Sequence, residues 1–142
     1  MAKRLEDTLA FRYALELETF AYKNFEKSPN KGKKLVSDII NEISICTDAI
    51  TDAFYMPNKE LEGKYSALSC AYSHMKRCER KLDIAVSNML NIISHETRAK
   101  YDLIIEQLDI NLARWSNSIA KRERLRLKKE MLKKIESNIG IR

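Results

Sequence analysis

The sequence predicts an all-α protein, and three observations lead to that prediction. The chain has 142 residues but only three Gly and two Pro, so it offers few positions that would end a helix. Charged residues make up 32% of the chain, and the composition is rich in Leu, Ala, Lys, Glu and Arg, which favour helices. Apolar residues recur at spacings of three and four in four segments. Four such segments with short connections predict an antiparallel up-down four-helix bundle.

The first predicted helix runs from about Leu5 to Lys27 and carries two apolar stripes. Residues 9 and 11 lie about 200° apart on a helix, so the two stripes face opposite ways. A bundle helix needs one apolar face, so the second stripe indicates either an interface with another subunit or protein, or aromatic side chains at the bundle edge. The first stripe comprises Leu9, Tyr13, Leu17, Phe20 and Ala21, and the second comprises Phe11, Leu15, Tyr22 and Phe25.

A turn at Ser28–Gly32 separates the first helix from the second, because this stretch contains both a Pro and a Gly. The second predicted helix runs from about Lys33 to Tyr55. Acidic residues lie off its apolar stripe and predict a solvated face. The stripe comprises Val36, Ile39, Ile40, Ile43, Cys46, Ile50, Ala53 and Phe54, and the acidic residues are Asp38, Glu42, Asp48 and Asp52.

The segment Met56–Asn58 ends the second helix, and Asn58 is the predicted N-cap of the third. The third predicted helix spans about Lys59 to Ile93, with Gly63 in its first turns. Its apolar stripe comprises Leu61, Tyr65, Leu68, Ala71, Met75, Cys78, Leu82, Ala85, Met89 and Ile92.

Ser94–Thr97 is the next predicted turn, since Ser and Thr can cap a helix. The fourth helix then begins near Thr97 and continues to about Ser137, a length of about 60 Å that overhangs the other three. Its first half places Trp115 on a core stripe, so packing is the main interpretation and base stacking the alternative. The stripe comprises Tyr101, Ile104, Leu108, Leu112, Trp115 and Ile119.

The charge distribution divides the chain into a four-helix bundle at residues 1–120 and a basic C-terminal extension at residues 121–142. Residues 1–120 hold 17 Lys and Arg and 17 Asp and Glu, whereas residues 121–142 hold nine Lys and Arg against three Glu. The whole net charge of +6 therefore lies in the extension. Such a segment indicates an acidic partner, with nucleic acid ahead of a membrane.

The candidate nucleic-acid contacts are basic residues of the third helix, the fourth helix and the extension. If about four to six of them contact phosphates, log affinity falls with log salt at a slope of roughly −3 to −5. The alternative for the third-helix group is ordinary surface ion pairing with Glu79 or Asp83. The candidates are Lys76, Arg77, Arg80, Lys81, Arg114, Lys121, Arg122, Arg124, Arg126, Lys128 and Lys129.

Catalytic and metal-binding signals are weak. Cys70, His74 and Cys78 follow one side of the third helix, but no fourth zinc ligand is evident and the usual spacings are absent. Neither His completes the Glu-x-x-His pattern of di-iron bundles, and we find no nucleophile elbow or glycine-rich phosphate loop. We therefore expect neither an enzyme nor a metal or other cofactor.

The three cysteines and the N-terminal composition predict a cytoplasmic protein with reduced thiols. The cysteines are odd in number and lie on or beside apolar stripes. No N-terminal signal pattern is visible, and no run approaches the roughly 20 apolar residues of a membrane-spanning helix.

Two segments resemble a known family. The third-helix segment Lys76–Ala85 and the fourth-helix segment Leu112–Trp115, in a four-helix order, resemble the accessory variability determinant (Avd) of diversity-generating retroelements. That family is in turn similar to the four-helix-bundle proteins encoded in 23S ribosomal RNA intervening sequences. Two basic residues one turn apart match Lys76 and Arg80, while Ala113 stands where the family has glycine in Leu-Gly-x-Trp. The resemblance covers residues 8–120.

The resemblance implies a function. It implies a non-enzymatic homo-oligomer, and related proteins form pentamers. It also implies that the protein binds template RNA and DNA through basic surface and associates with a reverse transcriptase in mutagenic retrohoming. The residues alone leave a second hypothesis open. In that hypothesis the chain is an oligomeric protein-interaction bundle without nucleic-acid function, and its extension folds against an acidic partner protein.

Overall fold

The computed structural model describes residues 4–26, 32–87 and 89–139, and all regular structure within these ranges is helical. A single 3-10 turn at Leu5–Asp7 precedes four α-helices. The prediction of an all-α chain with four helices is therefore confirmed. The helices are α1 at Leu9–Glu26, α2 at Lys33–Tyr55, α3 at Leu61–Val86 and α4 at His95–Asn138.

The four helices share one core, in which Tyr101 is the largest fully buried side chain. Each helix packs against its neighbour in the chain, and α1 also packs against α4. The Tyr101 ring meets Phe20 edge-on, with 4.7 Å between ring centroids, and stacks on Phe25 at 6.2 Å. Asn24 Nδ2 donates a hydrogen bond of 3.2 Å to the Tyr101 hydroxyl. This cluster joins the C-terminal half of α1 to the start of α4.

The buried face of α1 differs from both predicted stripes. It consists of Ala10, Ala14, Leu17, Ala21 and Phe25. Leu9, predicted on the core stripe, is 47% exposed, whereas Phe25, predicted on the opposite stripe, is buried against Tyr101. The predicted stripes gave weight to large apolar residues. The observed face instead uses alanines, whose small side chains allow neighbouring helices to approach closely.

The predicted bounds of α2 are confirmed, and Gly32 precedes the helix in the left-handed conformation with φ of 70°. A Cβ atom at Gly32 would overlap the side chain of Ile92, which lies in the segment between α3 and α4. Glycine is therefore required here by both the backbone angle and the close approach. The rest of the predicted turn at Ser28–Gly32 lies outside the described residues, as does the predicted helix end at Lys27.

The predicted ends of α3 were wrong at both sides. Its N-cap is Glu60 rather than Asn58, and no side chain accepts a hydrogen bond there. The helix ends at Val86, before the predicted Ile93, and Met89 is 93% exposed instead of lying on the core stripe. Asn91 adopts a positive φ of 46° and its amide donates to the Ser87 carbonyl at 2.7 Å. Asn tolerates this left-handed conformation better than most residues, so the chain turns here without glycine.

A helix start at the predicted turn is confirmed, but α4 begins at His95, two residues before the predicted Thr97. Ser94 is the N-cap, and its hydroxyl oxygen accepts a hydrogen bond of 3.0 Å from the Thr97 amide. The helix then continues for 44 residues to Asn138, a length of about 66 Å. Ile119 is the last buried residue of α4, and every residue from 124 to 139 is exposed. No helix within the described ranges combines the length and apolar character needed to cross a membrane.

Candidate functional site

Two of the candidate basic residues on α3 are occupied by contacts within the protein. Lys76 Nζ lies 3.1 Å from Glu79 Oε1 and 3.6 Å from Asp109 Oδ2 on α4, and it also lies 5.3 Å from the centre of the Tyr72 ring. The hydrogen bond with Glu79 raises the pKa of Lys76 above its ordinary value. Lys76 therefore links α3 to α4, which is the ion-pairing alternative recognised from the sequence.

Lys81 binds Glu42, a buried carboxylate on α2. Glu42 Oε2 accepts from Lys81 Nζ at 3.1 Å, and Glu42 Oε1 lies 2.7 Å from His74 Nδ1. Burial alone would raise the pKa of Glu42, but the hydrogen bonds and charges of His74 and Lys81 outweigh it and lower the pKa below 4.5. The prediction of a solvated position for Glu42 was wrong because two polar partners on α3 allow its carboxylate to be buried.

The candidate zinc ligands on α3 have separate surroundings. Cys70 is exposed, His74 binds Glu42, and Cys78 is fully buried in the core. Burial raises the pKa of the Cys78 thiol to about 12, and that of Cys46 to the same value. Across residues 4–26, 32–87 and 89–139, no group of three or more His, Cys, Asp or Glu side chains is placed to hold a metal ion.

The other candidate cations on the packed helices face outwards. Arg77 and Arg80 on α3 and Arg114 on α4 are exposed, and none has an ion pair with another described residue. Lys76, in the same part of α3, lies beside Asp109 of α4. Lys121 is the first cation of the extension and follows Asp109 by 12 residues along α4. That separation corresponds to about 18 Å of helix. The α3 cations around Lys76 and the cations of the extension are therefore two separate groups.

The extension carries several cations that have no ion pair within the described residues. Lys121, Arg124, Lys128 and Lys129 belong to this set, and all four are exposed. Arg126 differs because it pairs with Glu123 and, at 2.7 Å, with Glu130. Glu123 correspondingly has a lowered pKa, with the hydrogen bond from Arg126 as the main cause. These i,i+3 and i,i+4 pairs support the helix beyond its last buried residue, Ile119.

Arg122 is unlike the other cations of the extension because it is half-buried. Its Nε atom is buried and has no hydrogen-bond partner among the described residues. Arg122 and Arg114 both line a cleft of about 540 Å³ at one end of the helices. Sequence patterns gave no sign of this cleft, because its walls come from four separate stretches of the chain.

An apolar stripe on the extension was also missed. Leu127, Met131, Ile135 and Ile139 recur every four residues and are 45–64% exposed. Successive members of such a series turn by only about 40°, so the four side chains share one face. The spacing is present in the sequence, but the high density of Lys and Arg around these residues obscures it. An exposed apolar face of this kind is typical of a protein contact.

Only some members of the predicted interface on α1 are exposed in the structure. Leu15 and Tyr22 are exposed, at 46% and 54%, whereas Phe11 is half-buried and packs against the core. Phe25 is buried within the chain and is not available as a surface residue, which corrects that part of the prediction. Leu15 and Tyr22 alone remain as exposed members of the second stripe.

The residues of the Leu112–Trp115 segment have different surroundings. Leu112 is buried and Trp115 is half-buried against the core, as the packing interpretation predicts. Ala113 is exposed. In comparisons with known proteins, no family model matches this chain, and no curated protein or solved structure shows significant similarity to it.

Proposed function

We propose that this protein is a non-enzymatic nucleic-acid-binding adaptor, in which an up-down bundle with alternating helix directions carries a basic helical extension. The observation that supports the proposal is the segment 121–139 of α4. It is helical and largely exposed, and it carries cations without ion pairs among the described residues. Cations held on an exposed helix contact phosphate groups without needing to release an internal partner, so they contribute to binding any strand.

Antiparallel packing is supported by contacts that join the end of one helix to the start of the helix beside it. Lys64, near the start of α3, donates to the carbonyl of Ala53, near the end of α2. Asn24, near the end of α1, contacts Tyr101, near the start of α4. Consecutive helices joined by short connections favour this arrangement. It leaves the C-terminal part of α4 projecting from one end of the bundle.

The test is binding of a fluorescently labelled single-stranded RNA and a DNA of the same sequence and length, measured between about 50 and 200 mM salt. We expect little sequence preference and a log–log slope of roughly −3 to −5. The triple variant Arg124→Glu, Lys128→Glu and Lys129→Glu is expected to bind weakly and to flatten the slope by about 2 to 3.

A matched control reverses three exposed cations of the packed body, Arg12→Glu, Lys23→Glu and Lys100→Glu, with the same change in net charge. This control is expected to lose much less affinity than the extension variant. Absence of binding at about 50 mM salt, or equal losses for the two triple variants, contradicts the proposed role of the extension.

The resemblance to the Avd family extends the proposal to a reverse transcriptase partner and a homo-pentamer. The segments Lys76–Ala85 and Leu112–Trp115 support this part of the proposal. The solution mass distinguishes it, because a pentamer has about five times the chain mass of 16.5 kDa. A mass that corresponds to a monomer or dimer would contradict the pentamer. A genome without a neighbouring reverse transcriptase gene and a pair of near-identical repeats would contradict the retroelement assignment.

The alternative function is that of a protein-interaction bundle. It is favoured by the exposed apolar stripe at Leu127, Met131, Ile135 and Ile139, which phosphate binding does not explain. The surrounding Lys and Arg residues suit an acidic partner protein. Replacing Met131 and Ile135 with Ser separates the two functions. The adaptor proposal expects RNA affinity to change less than about twofold, whereas the alternative expects loss of the protein partner with negligible RNA binding in any variant.

A further inference from the structure

The cleft that contains Arg114 and Arg122 has the size and composition of a ligand site. Its volume is about 540 Å³, within the range of about 300–1,000 Å³ usual for small-molecule sites. The walls come from the start of α1, the end of α2, the start of α3 and the middle of α4. Three cations line it, Lys64, Arg114 and Arg122, and Asp7 is the one acidic residue among its described lining.

Lys64 brings a cation into the buried part of this cleft. The residue is only 4% exposed, and its Nζ donates to the Ala53 carbonyl at 2.7 Å. That carbonyl belongs to the last turn of α2, so the bond also caps the helix. An ammonium group has three donors, and this bond uses one of them. Burial and the positive charge of Arg122 lower the pKa of Lys64, with partial opposition from Glu60.

Two buried polar atoms of the lining residues lack partners. Arg122 Nε and Thr8 Oγ1 are buried and make no hydrogen bond within the described structure. Such groups are rare in native proteins, because an unsatisfied buried donor costs free energy. A bound anion would offer acceptors for donors of this kind and would offset the repulsion between Arg122 and Lys64. The cleft therefore favours a ligand with a phosphate group.

Aromatic side chains form another part of the lining. Trp115 and Phe54 both line the cleft, and Trp115 is half-buried against the core. Aromatic rings and cations in the lining of one cleft favour a ligand that joins a phosphate to a planar ring. We propose that the cleft binds a phosphorylated nucleoside, with its phosphate at Arg122 and Lys64 and its base against Trp115. The ligand is either a free mononucleotide or the 5′-phosphorylated end of a single strand.

This site goes beyond the proposed adaptor function because it needs no cation from residues 123–139. Trp115 is the only Trp in the chain, so its fluorescence reports on the cleft alone. The experiment titrates the full-length protein with adenosine 5′-monophosphate, adenosine or inorganic phosphate and follows that fluorescence. We expect saturable quenching by the monophosphate, and at least about 10-fold weaker responses to adenosine and to phosphate.

Variants assign the response to named side chains. Arg122→Met is expected to lower the affinity for the monophosphate by about 10- to 100-fold. Arg124→Met, on the exposed part of α4, is expected to change that affinity by less than about twofold. Thr8→Val removes the unpartnered hydroxyl, and Thr19→Val is its matched control on the exposed side of α1. Lys64→Met tests the contribution of the buried cation. If that variant does not fold, the Arg122 and Thr8 variants, each compared with its control, still test the proposed site.

The outcomes are distinct. Competition by a 5′-phosphorylated octanucleotide, but not by its 5′-hydroxyl form, assigns the site to a strand end, and no competition assigns it to a free nucleotide. No saturable quenching up to about 5 mM monophosphate, equal responses to monophosphate and inorganic phosphate, or equal effects of Arg122→Met and Arg124→Met would overturn the proposal. The extension triple variant separates this site from the adaptor function, because it is expected to lose RNA affinity while retaining the monophosphate response.

Discussion

Removal of the buried carboxylate at Glu42 is expected to destabilise the protein strongly. Glu42→Ala leaves Lys81 without its carboxylate and His74 without its hydrogen-bond partner. Breaking a fully buried ion pair from one side costs about 3–5 kcal/mol. The side chains of Lys81 and His74 are 22% and 16% exposed, so water partly replaces the lost contacts. We therefore expect a loss of about 2–3 kcal/mol in the free energy of unfolding.

The assay is urea and thermal unfolding followed by circular dichroism at pH 7. A loss of about 2–3 kcal/mol corresponds to a fall in Tm of about 7–10 °C for a chain of this length. Asp48→Ala is the matched control, because Asp48 lies on the exposed side of the same helix and has no ion pair with a described residue. A loss in Glu42→Ala no larger than that of the control would refute the argument.

The same network predicts a pH dependence. The folded-state pKa of Glu42 is lowered below its ordinary value of 4.5, so the carboxylate contributes stability above pH 4.5 and loses it as pH falls through the folded-state pKa. The difference in unfolding free energy between wild type and Glu42→Gln should therefore narrow as pH falls below 4.5. A difference that stays constant or grows under acid conditions would show that the ionised form does not supply the stability.

Substitutions at three further positions have defined outcomes. Gly32→Ala should lower the unfolding free energy by about 1–2 kcal/mol or more, because it places a Cβ at positive φ against Ile92, and an unchanged urea midpoint contradicts this close approach. Tyr101→Ala should cost about 3–5 kcal/mol and Tyr101→Phe about 1, so equal losses would mean that the buried ring contributes little. Burial of the charged Lys64 ammonium lowers the unfolding free energy at low pH, and this cost disappears as pH rises towards the ordinary pKa of 10.5. The unfolding free energy of wild type should therefore increase relative to that of Lys64→Met over this alkaline range. Parallel pH profiles for the two proteins would contradict this expectation.

Helix periodicity and helix-breaking residues explain why much of the fold could be predicted from the sequence. The bounds of α2 follow from the clean spacing of its apolar residues and from the glycine and proline on either side. The buried face of α1 was harder to predict because Ala10, Ala14 and Ala21 are only weakly hydrophobic, and only the packing of the helices shows that they are buried. The end of α3 was missed because Asn91 turns the chain without Gly or Pro, the two residues on which boundary rules depend.

The candidate sites were predictable only where a single helix determines them. The exposed cations of the extension follow directly from local sequence. Glu42 was misassigned because its partners, His74 and Lys81, lie more than 30 residues away in the chain. The cleft combines Thr8, Lys64 and Arg122, and no one-dimensional pattern relates residues so far apart. Charge and spacing identify a surface, whereas a pocket depends on how the helices come together.

The continuity of α4 has a consequence for how its exposed part remains helical. Residues 124–139 would form only a marginal helix alone, since starting a helix requires several residues to be fixed for one hydrogen bond. The turns around Tyr101 and Leu108 are already held by the core, so the later residues need only propagate an existing helix. Amide hydrogen exchange should therefore quicken progressively from Ile119 to Asn138, as fraying spreads inward from the far end. A substitution such as Lys121→Pro would break this propagation and leave the residues beyond it with the helix content of an isolated peptide.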